Sequence, residues 1–230
     1  MAQTRPISIE RNIIAHAAGS AEVSFGNTRV LCVATIAEDV PGWLKGTQSG
    51  WVTAEYAMLP GSTRTRCIRE RRGAKGRTSE IERLIGRSLR ACVDLKRLGG
   101  EVTITVDCDV LVADGGTRTA SITGAYVALY DALRFWKTAA KITHIPITGQ
   151  VAAISVGRVD AQTVVDLDFA RDQRAEVDMN VVMDDKGRYI EIQGTAEHAA
   201  FDDEQLQEML ALAKSAIDEL LAKQREVLGL

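Results

Sequence analysis

Proline, histidine and paired cysteine are all scarce in this 230-residue chain, and each scarcity excludes something. With 4 prolines and no Gly/Ser/Pro-rich stretch there is no candidate linker, so one domain spanning residues 1–230 is expected. The 46% of hydrophobic residues suffices for a substantial core. No apolar run approaches the roughly 20 residues that span a bilayer, and the N-terminus lacks the apolar stretch of a signal peptide. The expectation is a cytoplasmic protein with no membrane partner. Cys32, Cys67, Cys92 and Cys108 show no C-x-x-C spacing and no adjacent histidine, which removes a zinc site and leaves reduced thiols. His16, His144 and His198 are equally scattered, so chemistry built on a histidine base has little to draw on.

A formal charge of −3 argues by itself against a nucleic-acid partner, but its distribution reverses the argument. Between Arg64 and Arg77 lie Arg64, Arg66, Arg69, Arg71, Arg72, Lys75 and Arg77 against the single acid Glu70, a net +6 that leaves −9 for the rest of the chain. A chain polarised in this way can hold a polyanion on one face and stay soluble through the other. Six arginines to one lysine favour phosphate recognition over a merely solvated run, because the guanidinium fork matches phosphate oxygens.

Periodicity supplies the elements. Ala21, Val23 and Phe25 alternate, then Gly26-Asn27 turns into Val30–Ala34, a hairpin. Trp51–Tyr56 reads as a strand closed by Leu59-Pro60-Gly61, and the arginine-rich loop follows. Ser79-x-x-Glu82 has capping-box spacing, and Ile81, Leu84, Ile85, Leu89, Cys92 and Val93 form a helical stripe ending near Gly99-Gly100. Val102, Ile104 and Val106 alternate as a strand. A second helix is expected over roughly Ser121–Trp136, with Ile122, Tyr126, Leu129 and Leu133 inward. Strands follow at Val151–Val156, Thr163–Asp168, Met179–Met183 and Arg188–Ile192, and a closing helix at Asp203–Leu228. Without regular βαβ alternation, the fold class is α+β, with mixed sheets and packed helices. Trp43 and Leu44 read equally as core or as an exposed interface.

The segment Asp114–Gly124, DGGTRTASITG, puts two glycines directly before a helix. Its backbone N–H groups, with the Thr117 hydroxyl and the Arg118 fork, could cradle an anion. It reads equally well as a tight strand-to-helix connection capped by Thr119 or Ser121.

LVADGGTRTASITGA resembles the phosphate-binding stretch of the ribonuclease PH family. So do, in that family's order, Trp51–Pro60, Gly76–Arg90, Asp178–Met183 and Gln193–Glu197, a similarity running from about Arg5 to the C-terminus. The resemblance implies a ribosomal protein S5 domain 2-like fold and a phosphorolytic 3′-to-5′ exoribonuclease. Inorganic phosphate would be held by Gly116, Thr117 and Arg118, with Arg77 reaching in. Asp172 and Asp178 would hold Mg²⁺ (or Mn²⁺), Arg118 would act in catalysis beside them, and Arg64, Arg66, Arg69, Arg71 and Arg72 would guide an RNA tail. Read without the resemblance, Asp172 is a loop carboxylate between Arg171 and Arg174 and Asp178 a turn residue before a strand.

The implied substrate is the single-stranded 3′ extension of precursor tRNA, with rRNA as a second target, and the implied assembly a homo-hexamer built as a trimer of dimers. Phosphate already carries the nucleophile's charge, so the paucity of histidine is no obstacle. Two departures from the family, a short basic arm before Arg5-Pro6 and a short loop between Arg69 and Arg77, bear on the RNA side rather than on phosphate. Rival readings are a catalytically silent RNA-binding ring subunit of an exosome-like assembly, which would have lost these arginines and acids, and a hydrolytic nuclease. Gly73–Thr78 lacks the Gly-Lys-Ser/Thr ending of a nucleotide-binding loop.

Overall fold

Alternating side chains at the N-terminus fold into three consecutive antiparallel strands: β1 (Ile7–Arg11), β2 (Gly19–Phe25) and β3 (Thr28–Ala37). The computed structural model describes residues 4–70 and 76–230. β4 (Trp51–Met58) crosses through α1 (Arg77–Arg90) to β5 (Thr103–Val112), which runs parallel to it and completes a sheet of order β1-β2-β3-β5-β4. After α2 (Thr117–Thr138) come β6 (Val151–Val159), β7 (Gln162–Val165), α3 (Phe169–Asp172), β8 (Val177–Asp184), β9 (Tyr189–Ala196) and α4 (Asp203–Leu228). The last four strands form an antiparallel sheet of order β7-β6-β8-β9. The architecture is α+β, as expected, with one parallel crossover among antiparallel pairs.

α2 packs against β2 and β3 of the first sheet and β6 of the second. Its residues are small or apolar on nearly every side and are buried accordingly, which is what a helix between two sheets requires. α1 is one-sided, burying Ile81, Leu84, Ile85 and Leu89 and exposing Arg83 and Arg87. A single apolar cluster runs through both sheets, from Phe25 and Ile104 across Ile122 to Ile154 and Leu220. Among the described residues no helix is long and apolar enough to cross a membrane.

Several boundaries differ from the periodicity. α1 starts at Arg77 behind Gly76, with no side-chain cap, so Ser79 lies inside the first turn and its spacing to Glu82 is not a capping box. The helix ends at Arg90, and Cys92 and Val93 are buried beyond it. α2 begins four residues before Ser121, behind Gly116. β7 stops at Val165, because Asp168 instead caps α3 by accepting from the Arg171 N–H. α4 runs as expected, opened by a capping box between Asp202 and Gln205. Trp43 is 65% exposed, with its ring edge-on to Trp51, and Leu44 is half-buried.

Candidate active site

The N-termini of α1 and α2 both carry an arginine in their first turn, Arg77 and Arg118, and the first turn of α2 contains no acid. This opposes the usual preference. The first N–H groups of a helix already amount to about half a positive charge, and basic residues there typically cost roughly 0.3–1 kcal/mol each. α4 shows the ordinary choice, with Asp203 and Glu204 in its first turn. Two guanidinium groups beside two helix N-termini make sense where an anion binds.

Local structure prepares the same spot. Gly115 and Gly116 adopt φ +79° and +66°, turning the chain from β5 into α2 with their amides free of a Cβ. Tyr56 and Thr117 share a buried hydroxyl contact of 2.9 Å. When the Tyr56 hydroxyl donates, the Thr117 hydroxyl is left to donate outward. Burial pushes the Tyr56 phenol above its ordinary range, opposed by that contact and by Arg77 and Arg118, so it stays protonated. Arg118 Nη1 donates to Gln193 Oε1 at 2.7 Å, Gln193 Nε2 donates to Glu80 Oε1 at 2.7 Å, and Arg118 stands 3.7 Å from Glu80. β9 thus aims Arg118 through a neutral amide, with Glu80 as a longer-range ion-pair partner.

Asp172 ends α3 and Asp178 is the second residue of β8, a strand position rather than a turn. Desolvation, then Asp172, then Glu197 push the Asp178 carboxyl up to about 6, against Arg118 and Arg77. Asp172 is raised by desolvation and Glu197, again opposed by Arg77 and Arg118. Arg77 and Arg118 therefore both act on Asp172 and on Asp178, although about a hundred positions separate the first from the last. Among the described residues, neither aspartate has an ion pair or a side-chain hydrogen bond, and no group of three or more His, Cys, Asp or Glu is arranged to hold a metal.

The basic loop is only partly joined to this site. Arg69 shares a groove of about 330 Å³ with Tyr56, Cys67, Arg77 and Thr78. Arg64 and Arg66 are exposed further along the loop, and Arg71 and Arg72 lie outside the described residues. Volume does not mark the site: a groove of about 650 Å³ lies at the far ends of α1 and α2. There Arg97 is paired with Asp94 and Lys141 with Glu38. Tyr56, Glu80, Gln193 and Glu197 fall inside the stretches that resemble the family, yet nothing in their spacing assigns them a role at the site.

The loop geometry is testable through Gly115. A Cβ there would stand 2.3 Å from the Leu167 carbonyl oxygen at φ +79°, so Gly115→Ala is expected to cost about 2–4 kcal/mol. Gly187, at φ +73° with only Lys214 nearby at 3.9 Å, supplies the control: Gly187→Ala should cost about 1 kcal/mol. Denaturant midpoints compare the two, and equal losses would mean that close packing of the loop plays no part.

Known proteins show the same arrangement of chain. The model of the "3′ exoribonuclease family, domain 1" matches residues 3–134, and that of "domain 2" matches residues 149–216. Among solved structures, the fold is shared with a chain of the Archaeoglobus fulgidus exosome with RNA bound to the active site. That match has 21% identity, a TM-score of 0.80, and covers 96% of this chain and 89% of that one. Rice (Oryza sativa) Rrp46 gives 20% identity and a TM-score of 0.77, over 98% and 96% of the two chains. An archaeal exosome core gives 20% and 0.76, over 97% and 87%. At these identities the structures establish the fold, and the family models establish more: this chain belongs to the ribonuclease PH family of 3′ exoribonucleases.

Proposed function

We propose that the protein trims RNA from its 3′ end by phosphorolysis. The observation that carries this reading is the pairing of a cationic cradle, Arg77 and Arg118 at two helix N-termini, with an unpartnered acid pair, Asp172 and Asp178, in one field. A hydrolase needs to bind only the RNA phosphodiester. A phosphorolytic enzyme must hold a second anion against it, and the cradle provides the second place.

Inorganic phosphate, the co-substrate, takes hydrogen bonds from Arg77, Arg118, the Thr117 hydroxyl and the Gly116 amide. One of its oxygens attacks the terminal phosphorus as the P–O3′ bond breaks, releasing a nucleoside 5′-diphosphate, and the proton of hydrogen phosphate passes to the departing oxygen to leave the shortened RNA with its 3′ hydroxyl. The arginines offset the repulsion between the two anions, and the reverse reaction needs no further groups. Asp172 and Asp178 suit Mg²⁺ (or Mn²⁺): they are oxygen donors, close enough for Asp172 to push the Asp178 carboxyl up, and among the described residues neither is in an ion pair. Such an ion would neutralise charge developing on the departing 3′ oxygen. Arg69 leads the tail in along its groove, with Arg64, Arg66, Arg71 and Arg72 as further backbone contacts.

The proposed substrates are the 3′ tails of tRNA precursors, then rRNA, in the cytoplasm. The proposed assembly is a homo-hexamer. β9 supports assembly, since as the outer strand of its sheet it leaves one edge open while exposing Tyr189 and Ile192. Light scattering on the purified protein should give six times the 25.0 kDa chain mass.

The deciding experiment is product identity. With Mg²⁺ and an RNA bearing an unstructured 3′ tail, nucleoside diphosphates should appear only when phosphate is added. Monophosphates regardless of phosphate would make the protein a hydrolase, and no product from RNA that demonstrably binds would make it a silent ring subunit.

A further inference from the structure

One arginine near the site takes no part in the cradle. Arg5 is 13% exposed at its side chain, and its partner Asp166 is fully buried. The Arg5 Nε and Nη2 donate to the two Asp166 carboxylate oxygens at 2.8 and 2.6 Å, and the Arg5 backbone N–H adds a third bond at 2.9 Å. Its remaining donor, Nη1, reaches the Asp114 carbonyl at 2.7 Å, while Nη2 lies 3.5 Å from the Gly115 carbonyl. From the other side the Thr28 hydroxyl donates to the same Gly115 carbonyl at 2.7 Å and accepts from the Asp114 N–H at 2.9 Å. With Asp166 neutralising it at bidentate range, Arg5 is not a ligand for phosphate.

These bonds act on the direction of the loop amides. In a trans peptide the C=O and the following N–H point opposite ways. Capturing the Gly115 carbonyl between Thr28 and Arg5 therefore turns the Gly116 N–H the other way. The same anchor reaches the acids. Asp166 holds φ +57°, a region that residues with a Cβ seldom enter, and its chain continues through Leu167 to Asp168, which caps α3 and so places Asp172. Leu167 and Asp168 pack directly on the Gly115 backbone.

We propose that Arg5, Asp166 and Thr28 form a positioning clamp that aims the Gly116 amide at bound phosphate and fixes the separation between the phosphate loop and the Asp172 segment. The clamp touches no reacting atom and works only through backbone carbonyls and the course of the chain. It deepens the phosphorolytic reading, on which it rests, by naming what holds the cradle open for inorganic phosphate. Lysine cannot replace Arg5, because a single ammonium cannot span a carboxylate and a carbonyl as the planar fork does.

The test uses the full chain with Arg5→Lys, Thr28→Val and Thr28→Ser. Inorganic phosphate binding is measured by calorimetry without RNA, KM for phosphate and KM for RNA are measured separately, and melting is followed in parallel. Arg5→Lys and Thr28→Val should each weaken phosphate by about tenfold, the size expected when one buried hydrogen-bond partner is removed. KM for RNA should move by less than about twofold, since none of these side chains faces the tail. Thr28→Ser, which keeps the hydroxyl, should restore phosphate affinity. Thr28→Val is close to isosteric and remains decisive if Arg5→Lys fails to fold. Folded variants that bind phosphate as the wild type does would overturn the clamp, as would parallel losses in phosphate and RNA. Because the binding measurement needs no RNA, its outcome stands whichever products the nuclease assay gives.

Discussion

Arg118→Ala is expected to lower kcat/KM for phosphate by about 10³ while leaving the protein folded, the size seen when a preorganised donor to a reacting phosphoryl or oxyanion is removed. Two features of the structure set the expectation. Arg118 sits in the first turn of α2 and is no part of the apolar core, so truncation removes no core packing. Among the described residues its close hydrogen bond is to Gln193, which keeps its bond to Glu80 when the guanidinium is gone. Folding should therefore change little, since relief of a cation at a helix N-terminus, roughly 0.3–1 kcal/mol, offsets loss of the longer ion pair to Glu80. Arg118→Lys should recover only part of the loss, because a point charge cannot reproduce the bidentate hold. A folded Arg118→Ala protein with phosphorolysis within about fivefold of wild type would remove this arginine from the mechanism.

Asp178→Asn should lower activity by about 100-fold or more and at the same time stabilise the fold. The sign follows from the raised carboxyl. Asp178 is pushed up to about 6 in the folded protein, against about 3.9 in an unfolded chain, so the folded state holds the proton more tightly. Its stability contribution is fully present below about pH 4, is lost as pH rises through about 6, and is absent at pH 7, where folding maintains an ionised, desolvated carboxylate beside Asp172. The amide removes that charge without changing shape, and unfolding at pH 7–8 should be harder by on the order of 1–2 kcal/mol. The variant should also lose the Asp178 share of the fall in stability between about pH 4 and 6, making that slope shallower than the wild type's. Mg²⁺ should raise the melting temperature of the wild type and leave that of the variant nearly unchanged. A destabilised Asp178→Asn protein, or one stabilised by Mg²⁺ as much as the wild type, would mean that the acid pair is held by something other than a cation.

Some of the site was legible because its parts are contiguous. DGGTR announces a glycine turn into a helix, and the structure puts Thr117 and Arg118 in the first turn of α2. Periodicity alone places that helix start at Ser121, because four polar or small residues hide the first turn from an apolar count. Asp178 looks like a turn residue for a related reason: a single carboxylate at the second position of a strand interrupts the alternation without ending the ladder, and Asp178 pairs in register with Thr195 and Gly157. Gln193 and Glu80 lie inside stretches that resemble the family, but as polar residues on partly exposed element faces they carry no mark of a site role.

What the sequence determined by itself was local or compositional: the α+β class, the long closing helix, the glycine loop and the polarised arginine segment. Each rests on neighbours within a few residues, where propensity and periodicity act directly. The tertiary structure decided everything that depends on distance. It brought Arg77 and Arg118 together by packing α1 beside α2, carried Asp172 to them on α3 and Asp178 on β8, and ran Arg5 beneath the glycine loop to meet Asp166, 161 positions away. Such contacts follow from which apolar faces pack together. A linear pattern shows one inward stripe on α2, but only the packed core shows that the helix lies between two sheets, so that acids from α3 and β8 meet the arginines of α1 and α2.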